Sequence, residues 1–581
     1  MKILLVHPDD WVEVGEWAGK RWDWAVDLGW SGRHVYAEKT AQLGFRIFSI
    51  YDLLDHEIHR CRMRELMALG FEQMVDSELV DWWDILSPHF HDRLEQLLLL
   101  SALVEQIPAD AEIFATRRYF SLHAISLLLK RAGMSSEIKS FSKERRPDTI
   151  DARSRRYFKA AITLHPSQIG EIAFDKWDSD YRLRRHFARS PKPSPGEVTL
   201  LPSAYGNVSR AQISYARMLP NRRFLLVVTR RNGVLRDLPG NVEIRRLAGY
   251  APRRLRSTHE ESLGLLARWR DLENEQLEAN NIASAARELG VFSDFPNLLK
   301  DMLGVRDAWR EVLVREPVHA VLSGDENNPT TRLPILLARA RNLRTVFCDH
   351  GALNMTFGIR RPASDVYLMR GEMAHDYSAG WCGLSTNRVR VGGAADALNL
   401  ASALNRTKRD WIVLYSEAYE LWDGRTRSLY AELLPELCLL AGKTNRKVVV
   451  KLHPFESPRM RKSIIRQVVP AAQRNLVEMR DGPMTTELFE RAWCSLTVES
   501  SVAVENTTNG VPCFLCSWFD PSWYDYGKQY AKYSAGYPLD SPERIREIPQ
   551  LLEGIQITEA TRQRLHTTIK VEELDSLLFG R

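Results

Sequence analysis

The stretch that decides the fold is Lys447-Val-Val-Val-Lys-Leu-His-Pro454, a short apolar run that ends in a charged residue, a histidine and a proline. A continuous β-branched run of this length predicts a buried strand of a parallel sheet. The proline fixes the turn that follows, so His453 is expected at the carboxyl end of the strand, where α/β proteins bind ligands. The alternative is a histidine that caps the next helix.

The same pattern continues on both sides of this stretch. Short β-branched runs alternate with longer amphipathic ones, such as 425–442 and 485–492, and this alternation predicts βαβ units. The predicted strands are Val198–Leu201, Phe224–Thr229, Val242–Leu247, Val318–Leu322, Thr345–Cys348, Val366–Met369, Arg388–Gly393, Trp411–Tyr415, Lys447–Leu452, Leu476–Met479, Cys494–Val498 and Cys513–Cys516.

Two breaks divide the chain. Ser190-Pro-Lys-Pro-Ser-Pro-Gly196 favours an extended connector, and a glycine-containing polar stretch covers 393–410. We therefore predict the α/β class, with two Rossmann-like domains facing a cleft plus an N-terminal α/β region. The predicted domains are an accessory or acceptor-side domain at 1–190, a Rossmann-like acceptor-side domain at 197–400 and a nucleotide-donor domain with C-terminal helices at 408–581.

Composition excludes several classes of protein. The chain has 581 residues, 44% of them hydrophobic, and a mean hydropathy of -0.31, which indicates a folded multidomain protein and not a disordered or fibrous one. A formal charge of +6 is too weak a basic bias to predict nucleic acid as a partner. Seven irregularly spaced cysteines and the absence of a long apolar stretch predict a cytoplasmic protein. Cys513 and Cys516 are expected to be buried strand cysteines rather than a redox or zinc pair.

The N-terminal region begins with a Rossmann-like strand at Lys2–Val6 and continues into a tryptophan-rich stretch. The tryptophans either pack against a neighbouring domain, which we favour, or form platforms for sugar stacking. A basic run at Tyr181–Arg189 is a solvated helix face or, alternatively, holds an anionic lipid-linked acceptor near the membrane. The tryptophans are Trp11, Trp17, Trp22, Trp24 and Trp30.

A second motif lies in the same predicted domain as His453. The strand that contains Cys494–Val498 leads to Ser500 and Ser501, which are followed by a helix-like run and by Gly510-Val-Pro-Cys513. Main-chain N–H groups at a helix start and two hydroxyls suit a nucleotide phosphate, although serine is also an ordinary N-cap. Glu505, one turn further on, is placed to accept from ribose hydroxyls or is simply an exposed carboxylate.

The middle domain offers groups for acid–base chemistry. The strand Val318–Leu322 runs into a polar loop with Asp325 and Glu326, and the strand Thr345–Cys348 leads to Asp349 and His350. An acceptor hydroxyl must lose a proton when it attacks, so a carboxylate or histidine is required within reach. His350, Asp325 and Glu326 are catalytic candidates, as is Glu417 after the strand Trp411–Tyr415; a solvated loop without a catalytic role is the alternative for Asp325 and Glu326.

The order strand, His-Pro, strand, Ser-Ser, helix, Gly-Val-Pro resembles the nucleotide-binding half of GT-B glycosyltransferases of bacterial surface polysaccharide synthesis. The similar families are capsule-type β-Kdo transferases, sialyl- and polysialyltransferases and CDP-glycerol glycerophosphotransferases. The resemblance covers about residues 198–520 and implies that the cytidine nucleotide contacts His453, Pro454, Ser500 and Ser501. Lys451 and Glu505 are further nucleotide-binding candidates.

The resemblance implies a glycosyltransferase that moves a sugar from a CMP-linked donor, Kdo-like or sialic-acid-like, to a surface glycan or lipid-linked acceptor. It implies no required cofactor or metal, and possible peripheral contact with the inner membrane. The paired-acid-plus-glycine motif of the sialyl families is absent from the sequence, which leaves the catalytic base open. The alternatives are a CDP-polyol phosphotransferase, a UDP-sugar transferase and a non-catalytic glycan- or nucleotide-binding protein.

Overall fold

The computed structural model describes most of the chain and shows three parallel sheets in the part that it describes. The described residues are 1–6, 22–28, 46–70, 72–116, 120–134, 137–140, 188–230, 233–235, 237–252, 256–351, 353–395, 408–417, 426–453, 456–519 and 523–580.

Each predicted domain contains one sheet. The N-terminal sheet has the order β3-β2-β1-β4-β5, with β1 Lys2–Val6, β2 Trp24–Asp27, β3 Arg46–Ser49, β4 Glu112–Ala115 and β5 Ile138–Ser140. The middle sheet has the order β12-β11-β10-β9-β6-β7-β8, with β6 Val198–Ser203, β7 Phe224–Val228, β8 Val242–Arg246, β9 Val318–Ser323, β10 Arg344–Cys348, β11 Val366–Met369 and β12 Val389–Val391. The C-terminal sheet has the order β15-β14-β13-β16-β17-β18, with β13 Trp411–Tyr415, β14 Lys447–Lys451, β15 Val477–Arg480, β16 Ala492–Thr497, β17 Cys513–Cys516 and β18 Tyr537–Leu539.

All three sheets share one topology. Counted in chain order within each sheet, the strands follow the order 3-2-1-4-5, which the C-terminal sheet extends by one strand and the middle sheet by two. This is the Rossmann order. Strands 2 and 3 are added on one side of strand 1, and strand 4 and those after it are added on the other side, so the switch point lies between strands 1 and 4. The α/β class and the two Rossmann-like sheets are confirmed, and the N-terminal region proves to contain a third such sheet.

Helices connect the strands. Their bounds are α1 His56–Ala68, α2 Trp82–Leu86, α3 His91–Gln106, α4 Phe120–Arg131, α5 Gly206–Met218, α6 Arg256–Ala279, α7 Asn281–Glu288, α8 Phe295–Arg315, α9 Pro329–Ala340, α10 Glu372–Asp376, α11 Thr426–Thr444, α12 Pro458–Val468, α13 Thr486–Arg491, α14 Val502–Thr508, α15 Tyr526–Lys532, α16 Ile548–Glu553, α17 Glu559–Leu565 and α18 Val571–Phe579. Short 3₁₀ helices lie at Ile50–Leu53, Ser87–His89, Leu247–Tyr250, Met355–Gly358, Ala471–Leu476, Ser517–Phe519 and Pro542–Glu547, and a π-helical turn at Tyr377–Trp381. No helix in the described ranges combines the length and apolarity needed to cross a membrane.

The chain forms two compact units, each built from several segments. The first comprises Met1–His59, Glu95–His165 and Leu400–Arg562, and therefore contains the N-terminal and C-terminal sheets. The second comprises Arg60–Leu94, Pro166–Asn399 and Gln563–Arg581, and contains the middle sheet. The domain boundaries read from the sequence stay predictions, as does the cleft.

The C-terminal sheet is buried on both faces, as its unbroken apolar strands predict. Ile412 and Leu414 of β13 belong to one core cluster, with α11 packed over them, while Val413 and Tyr415 belong to another with Leu488 of α13. Cys513 and Cys516 are fully buried in β17, which confirms them as strand cysteines.

The tryptophan-rich stretch is described only in part. Trp22 is buried and packs edge-on against Phe114 of β4, with ring centroids 5.0 Å apart, so its partner lies in the N-terminal sheet itself and packing against a neighbouring domain stays a prediction. Trp11, Trp17 and Trp30 lie outside the described residues, as does most of the basic run 181–189.

The C-terminal segment Gln563–Arg581 packs closely against the main chain that follows β11 of the middle sheet. Gly371 precedes α10, and a Cβ atom at this position would lie 2.5 Å from the main-chain carbon and oxygen of Leu565. We expect Gly371→Ala to lower the free energy of unfolding by about 1–3 kcal/mol, because the main chain must move to admit the methyl group. Denaturant unfolding measures this loss.

Gly264→Ala is the matched control. Gly264 lies inside α6, where a Cβ atom would meet no atom of the described residues within 4 Å, apart from the backbone of its own helix. Since alanine is the better helix former by roughly 1 kcal/mol, this variant should be as stable as the wild type or slightly more so. Equal stability of the two variants would contradict the packing argument.

Candidate functional site

The C-terminal sheet gathers polar side chains at the carboxyl ends of three adjacent strands. β14, β13 and β16 lie side by side, and the segments that follow them carry His453, Glu417, and Ser500 with Ser501, respectively. The topological switch point lies between β13 and β16, where the strand order changes from one side of β13 to the other. This switch point is where doubly wound α/β proteins bind ligands.

Glu417 connects the two strands that flank the switch point. Its half-buried carboxylate accepts hydrogen bonds at Oε1 from the Thr497 hydroxyl, at 3.1 Å, and from the Glu499 main-chain N–H, at 3.4 Å. The structure therefore places this catalytic candidate beside the proposed nucleotide-binding residues and not on the middle sheet with the other candidates.

His453 has a neutral side chain at physiological pH. Burial, and secondly the charge of Lys451, lower the pKa of its imidazole below the ordinary value of 6.5. Its main-chain N–H donates to Glu456 Oε2 at 2.6 Å. A neutral imidazole donates from one nitrogen and accepts at the other, which suits a phosphate or a base edge. Pro454 lies outside the described residues.

Lys451 is engaged mainly with the main chain. The side chain is buried, and Nζ donates to the carbonyl oxygens of Leu452 and Gly482, at 2.7 Å each. Burial lowers the pKa of this ammonium group. Two of its three hydrogens thus stabilise the carboxyl end of β14, a role that sequence reasoning did not foresee.

Ser500 and Ser501 lie half-buried between β16 and α14. Ser501 is the N-cap residue, yet it has helical backbone angles of φ −59° and ψ −13°, and its hydroxyl makes no capping bond to any described residue. Ser500 Oγ accepts from the Val502 N–H at 3.5 Å, which is a weak contact. Ordinary capping therefore does not account for the Ser501 hydroxyl. Glu505 is half-buried in the first turn of α14.

Sequence reasoning missed Glu456, a buried carboxylate three residues after His453. Its Oε1 accepts from Ser416 Oγ at 2.7 Å and from Arg461 Nε at 2.6 Å, and its Oε2 accepts the His453 N–H. The available signal was Ser457-Pro458, a helix start that follows Glu456 directly. Burial raises the pKa of the Glu456 carboxyl to about 7.

On the middle sheet, the two carboxylates after β9 have structural partners. Asp325 Oδ1 accepts from the main-chain N–H groups of Asn327, at 2.8 Å, and Asn328, at 3.2 Å, and so closes a turn. Glu326 is fully buried; it accepts from the hydroxyls of Ser364 and Tyr367 and faces Arg332 Nη1 at 3.7 Å. Such a paired carboxylate is poorly suited to take a proton from a substrate, so neither residue enters the proposed function.

His350 lies at the carboxyl end of β10 in a tight turn. Asp349 Oδ1 accepts from the Gly351 N–H at 2.8 Å, and Gly351 has φ +107°, a left-handed conformation that favours glycine. The half-buried His350 ring has a shielded Nδ1 without a hydrogen-bond partner among the described residues. Of the three middle-sheet candidates, His350 is the one with a ring nitrogen that has no hydrogen-bond partner among the described residues.

The topology defines an α/β protein with Rossmann-type sheets, and the carboxyl edge of the C-terminal sheet carries its candidate ligand site. Within the described residues, no group of three or more histidine, cysteine, aspartate or glutamate side chains is arranged to hold a metal ion.

Comparisons with known proteins found structures but no family. No protein-family model matches the chain, and no curated protein matches it. Similar solved structures include UDP-GlcNAc 2-epimerase from Methanocaldococcus jannaschii, with 12% identity over 64% of this chain and 98% of that one and a TM-score of 0.39. UDP-GlcNAc 2-epimerase from Neisseria meningitidis has 13% identity over 66% and 97%, with a TM-score of 0.37.

A glycosyltransferase is among these structures as well. The calicheamicin glycosyltransferase CalG4 has 14% identity over 66% of this chain and 94% of that one, with a TM-score of 0.36. At these identities and TM-scores, the likeness assigns neither a reaction nor a substrate to this protein.

Proposed function

We propose that the protein is a glycosyltransferase that uses a nucleotide-activated sugar and binds the nucleotide at the carboxyl edge of its C-terminal sheet. The observation that carries the proposal is the placement of His453, Glu417 and the Ser500–Ser501 pair after three adjacent parallel strands, at the switch point of a Rossmann-type sheet. Neighbouring strands are about 4.8 Å apart. The outer two strands, β14 and β16, are thus about 10 Å apart, a distance that a nucleoside and its phosphate can span.

The side chains fit an anionic nucleotide. The neutral imidazole of His453 and the hydroxyls of Ser500 and Ser501 donate hydrogen bonds to phosphate oxygens, and Glu417 accepts from ribose hydroxyls or orients the Ser500 segment through the Glu499 N–H. Donors aimed at the departing phosphate stabilise its charge without a required metal.

The donor that we propose is CMP-linked, with a Kdo-like or sialic-acid-like sugar, because the His-Pro and Ser-Ser motifs resemble those of cytidine-nucleotide transferases. The acceptor that we propose is a surface glycan or a lipid-linked glycan, which brings the protein to the inner membrane as a peripheral partner. A CDP-polyol or UDP-sugar donor would keep the same site and change the base and phosphate contacts.

Calorimetry with CMP, CDP, UDP and GDP, with and without EDTA, tests the proposal. We expect selective CMP binding that survives EDTA, since hydroxyls and an imidazole supply the contacts. Preference for CDP or UDP would move the donor to the alternatives. If none of the four nucleotides binds, the nucleotide site is refuted.

Variants of the site give a second test. Hydrogen bonds to charged groups contribute about 1.5–3 kcal/mol, so we expect His453→Ala to weaken CMP binding by about 10-fold or more and the Ser500→Ala/Ser501→Ala double variant by about 100-fold. Both should keep the wild-type circular dichroism spectrum. The matched controls are His123→Ala and Ser463→Ala, which change exposed residues and should bind normally. Loss of folding in the site variants would make these residues structural.

A further inference from the structure

Glu456 lies at the centre of a buried network that joins several elements of the C-terminal sheet. Ser416 follows β13, His453 follows β14 and Arg461 belongs to α12; all three donate to the Glu456 carboxylate, at 2.7, 2.6 and 2.6 Å. From α11, Tyr430 donates to Ser416 Oγ at 2.7 Å. The side chains of Glu456 and Arg461 are 0% and 1% exposed. The network is therefore part of the interior and not of the solvated surface.

The two carboxylate oxygens have different tasks. Oε1 binds Ser416, the residue directly before Glu417, and also pairs with Arg461, whereas Oε2 binds the main chain of His453. Each of these contacts is a charge-assisted hydrogen bond, a type that is shorter and stronger than a neutral one. One buried carboxylate thus fixes the segment of Glu417 relative to the segment of His453.

We propose that Glu456 is a positioning residue whose ionised carboxylate holds the Ser416–Glu417 segment and His453 in the geometry that binds the nucleotide. This inference rests on the proposed function, because it assigns Glu456 a role at the same site. Glu456 acts through its neighbours and need not touch the ligand.

The charges around Glu456 make this role dependent on pH. Arg461 and Lys451 favour the ionised form and Glu417 disfavours it. The His453 main-chain N–H donates to the carboxylate, and the Tyr430 hydroxyl donates to Ser416, which in turn donates to the same carboxylate. Burial is the largest effect and raises the pKa to about 7 from 4.5. Below this pH the carboxyl gains a proton and loses both its ion pair and one acceptor site. Nucleotide affinity should therefore fall as the pH falls through about 7.

Stability depends on pH with the opposite sign. Because the folded pKa is raised, the folded state holds the proton more tightly than the unfolded chain, so the contribution of Glu456 to stability is full below 4.5 and is lost as the pH rises through 7. A positioning role thus predicts better binding at the pH where the fold is less stable. A merely structural role predicts that binding and stability change together.

The experiment measures the Kd for CMP by calorimetry at pH 6, 7 and 8 in the wild type and in Glu456→Gln, which keeps the side-chain volume. We expect the variant to bind about 10- to 100-fold more weakly at pH 8, with the ratio approaching 1 at pH 6, where the wild-type carboxyl is itself protonated. The ratio removes the titration of the ligand's phosphate, which is common to both proteins. Glu553→Gln, which changes an exposed residue of α16, is the control and should match the wild type.

A double-mutant cycle with His453→Ala separates positioning from general damage. If Glu456 acts through His453, the loss caused by Glu456→Gln should be smaller in the His453→Ala background. Equal binding of Glu456→Gln and wild type at pH 8, or a loss that is independent of pH and additive with His453→Ala, would overturn the inference. Absence of nucleotide binding by the wild type would instead refute the proposed function, and the inference with it.

Ser416→Ala keeps the test decisive if Glu456→Gln does not fold. This variant removes one donor to the carboxylate and leaves Glu456 and Arg461 in place. We expect CMP binding to weaken by about 3- to 10-fold at pH 8. Unchanged binding would overturn the inference.

Discussion

Asp84→Ala is expected to lower the free energy of unfolding of the unit that contains the middle sheet by about 3–5 kcal/mol, because breaking a buried ion pair leaves its partner charge uncompensated. Asp84 is buried in α2 and accepts two hydrogen bonds from Arg332, at 2.7 and 2.9 Å. Arg360 Nε faces the same carboxylate at 3.7 Å. Both guanidinium groups are buried, so the substitution leaves two cations with reduced compensation.

Thermal and denaturant unfolding, followed by circular dichroism, measure this loss. Asp84→Asn keeps the volume and one acceptor but not the charge, so it should recover only part of the lost stability. The control is Asp271→Ala, at an exposed position of α6 in the same unit, where the change should stay within about 0.5 kcal/mol. If Asp84→Ala proves as stable as this control, the buried pair contributes little and the argument fails.

The strands of the middle and C-terminal sheets were predictable because their signal is local. Most of these strands are short apolar runs between polar turns, and the twelve predicted strands from Val198–Leu201 to Cys513–Cys516 are confirmed, whereas β18, Tyr537–Leu539, was missed. In the N-terminal region only β1 was predicted. The other four strands have three or four residues each, and each contains a charged residue, so none is the continuous apolar run that identified most strands of the other sheets.

The segment Arg60–Leu94 shows what a local pattern cannot reveal. It belongs to the same unit as the middle sheet. Two buried ion pairs join it to other segments of that unit, Asp84 with Arg332 and Asp76 with Arg306, each at 2.7 Å. The partners are separated by 248 and 230 residues. Nothing in the sequence near Asp76 or Asp84 indicates which arginine each residue will meet.

The candidate site was predictable where a residue ends a strand. His453, Ser500 and Ser501 follow strands, and the strand order then brings their segments close together. Glu326 follows a strand as well, but its environment depends on Ser364, Tyr367 and Arg332 from other segments. Glu456 was not predicted for the same reason: its role depends on hydrogen bonds from Ser416 and Arg461, which other segments supply. Proximity to a strand end predicts location, whereas burial and partners decide the role.

His350→Ala is expected to lower kcat by about 100- to 10,000-fold, the range that a general base contributes, while the Kd for the nucleotide stays at the wild-type value. This result follows if His350 is the general base of the proposed transfer, because a base acts on the acceptor hydroxyl and makes no contact that binds the nucleotide. The measurement is release of CMP from a CMP-linked sugar in the presence of acceptor, together with calorimetry of CMP.

Two further variants decide how this result is interpreted. His259→Ala, at an exposed position of α6, should keep full activity. Glu326→Gln should lose stability, because it weakens a buried pair with Arg332, but should keep its kcat at temperatures where it is folded. A large loss of kcat in folded Glu326→Gln, with none in His350→Ala, would assign the base to Glu326 instead. The two outcomes separate a buried carboxylate that supports the fold from an imidazole that takes the proton of the acceptor.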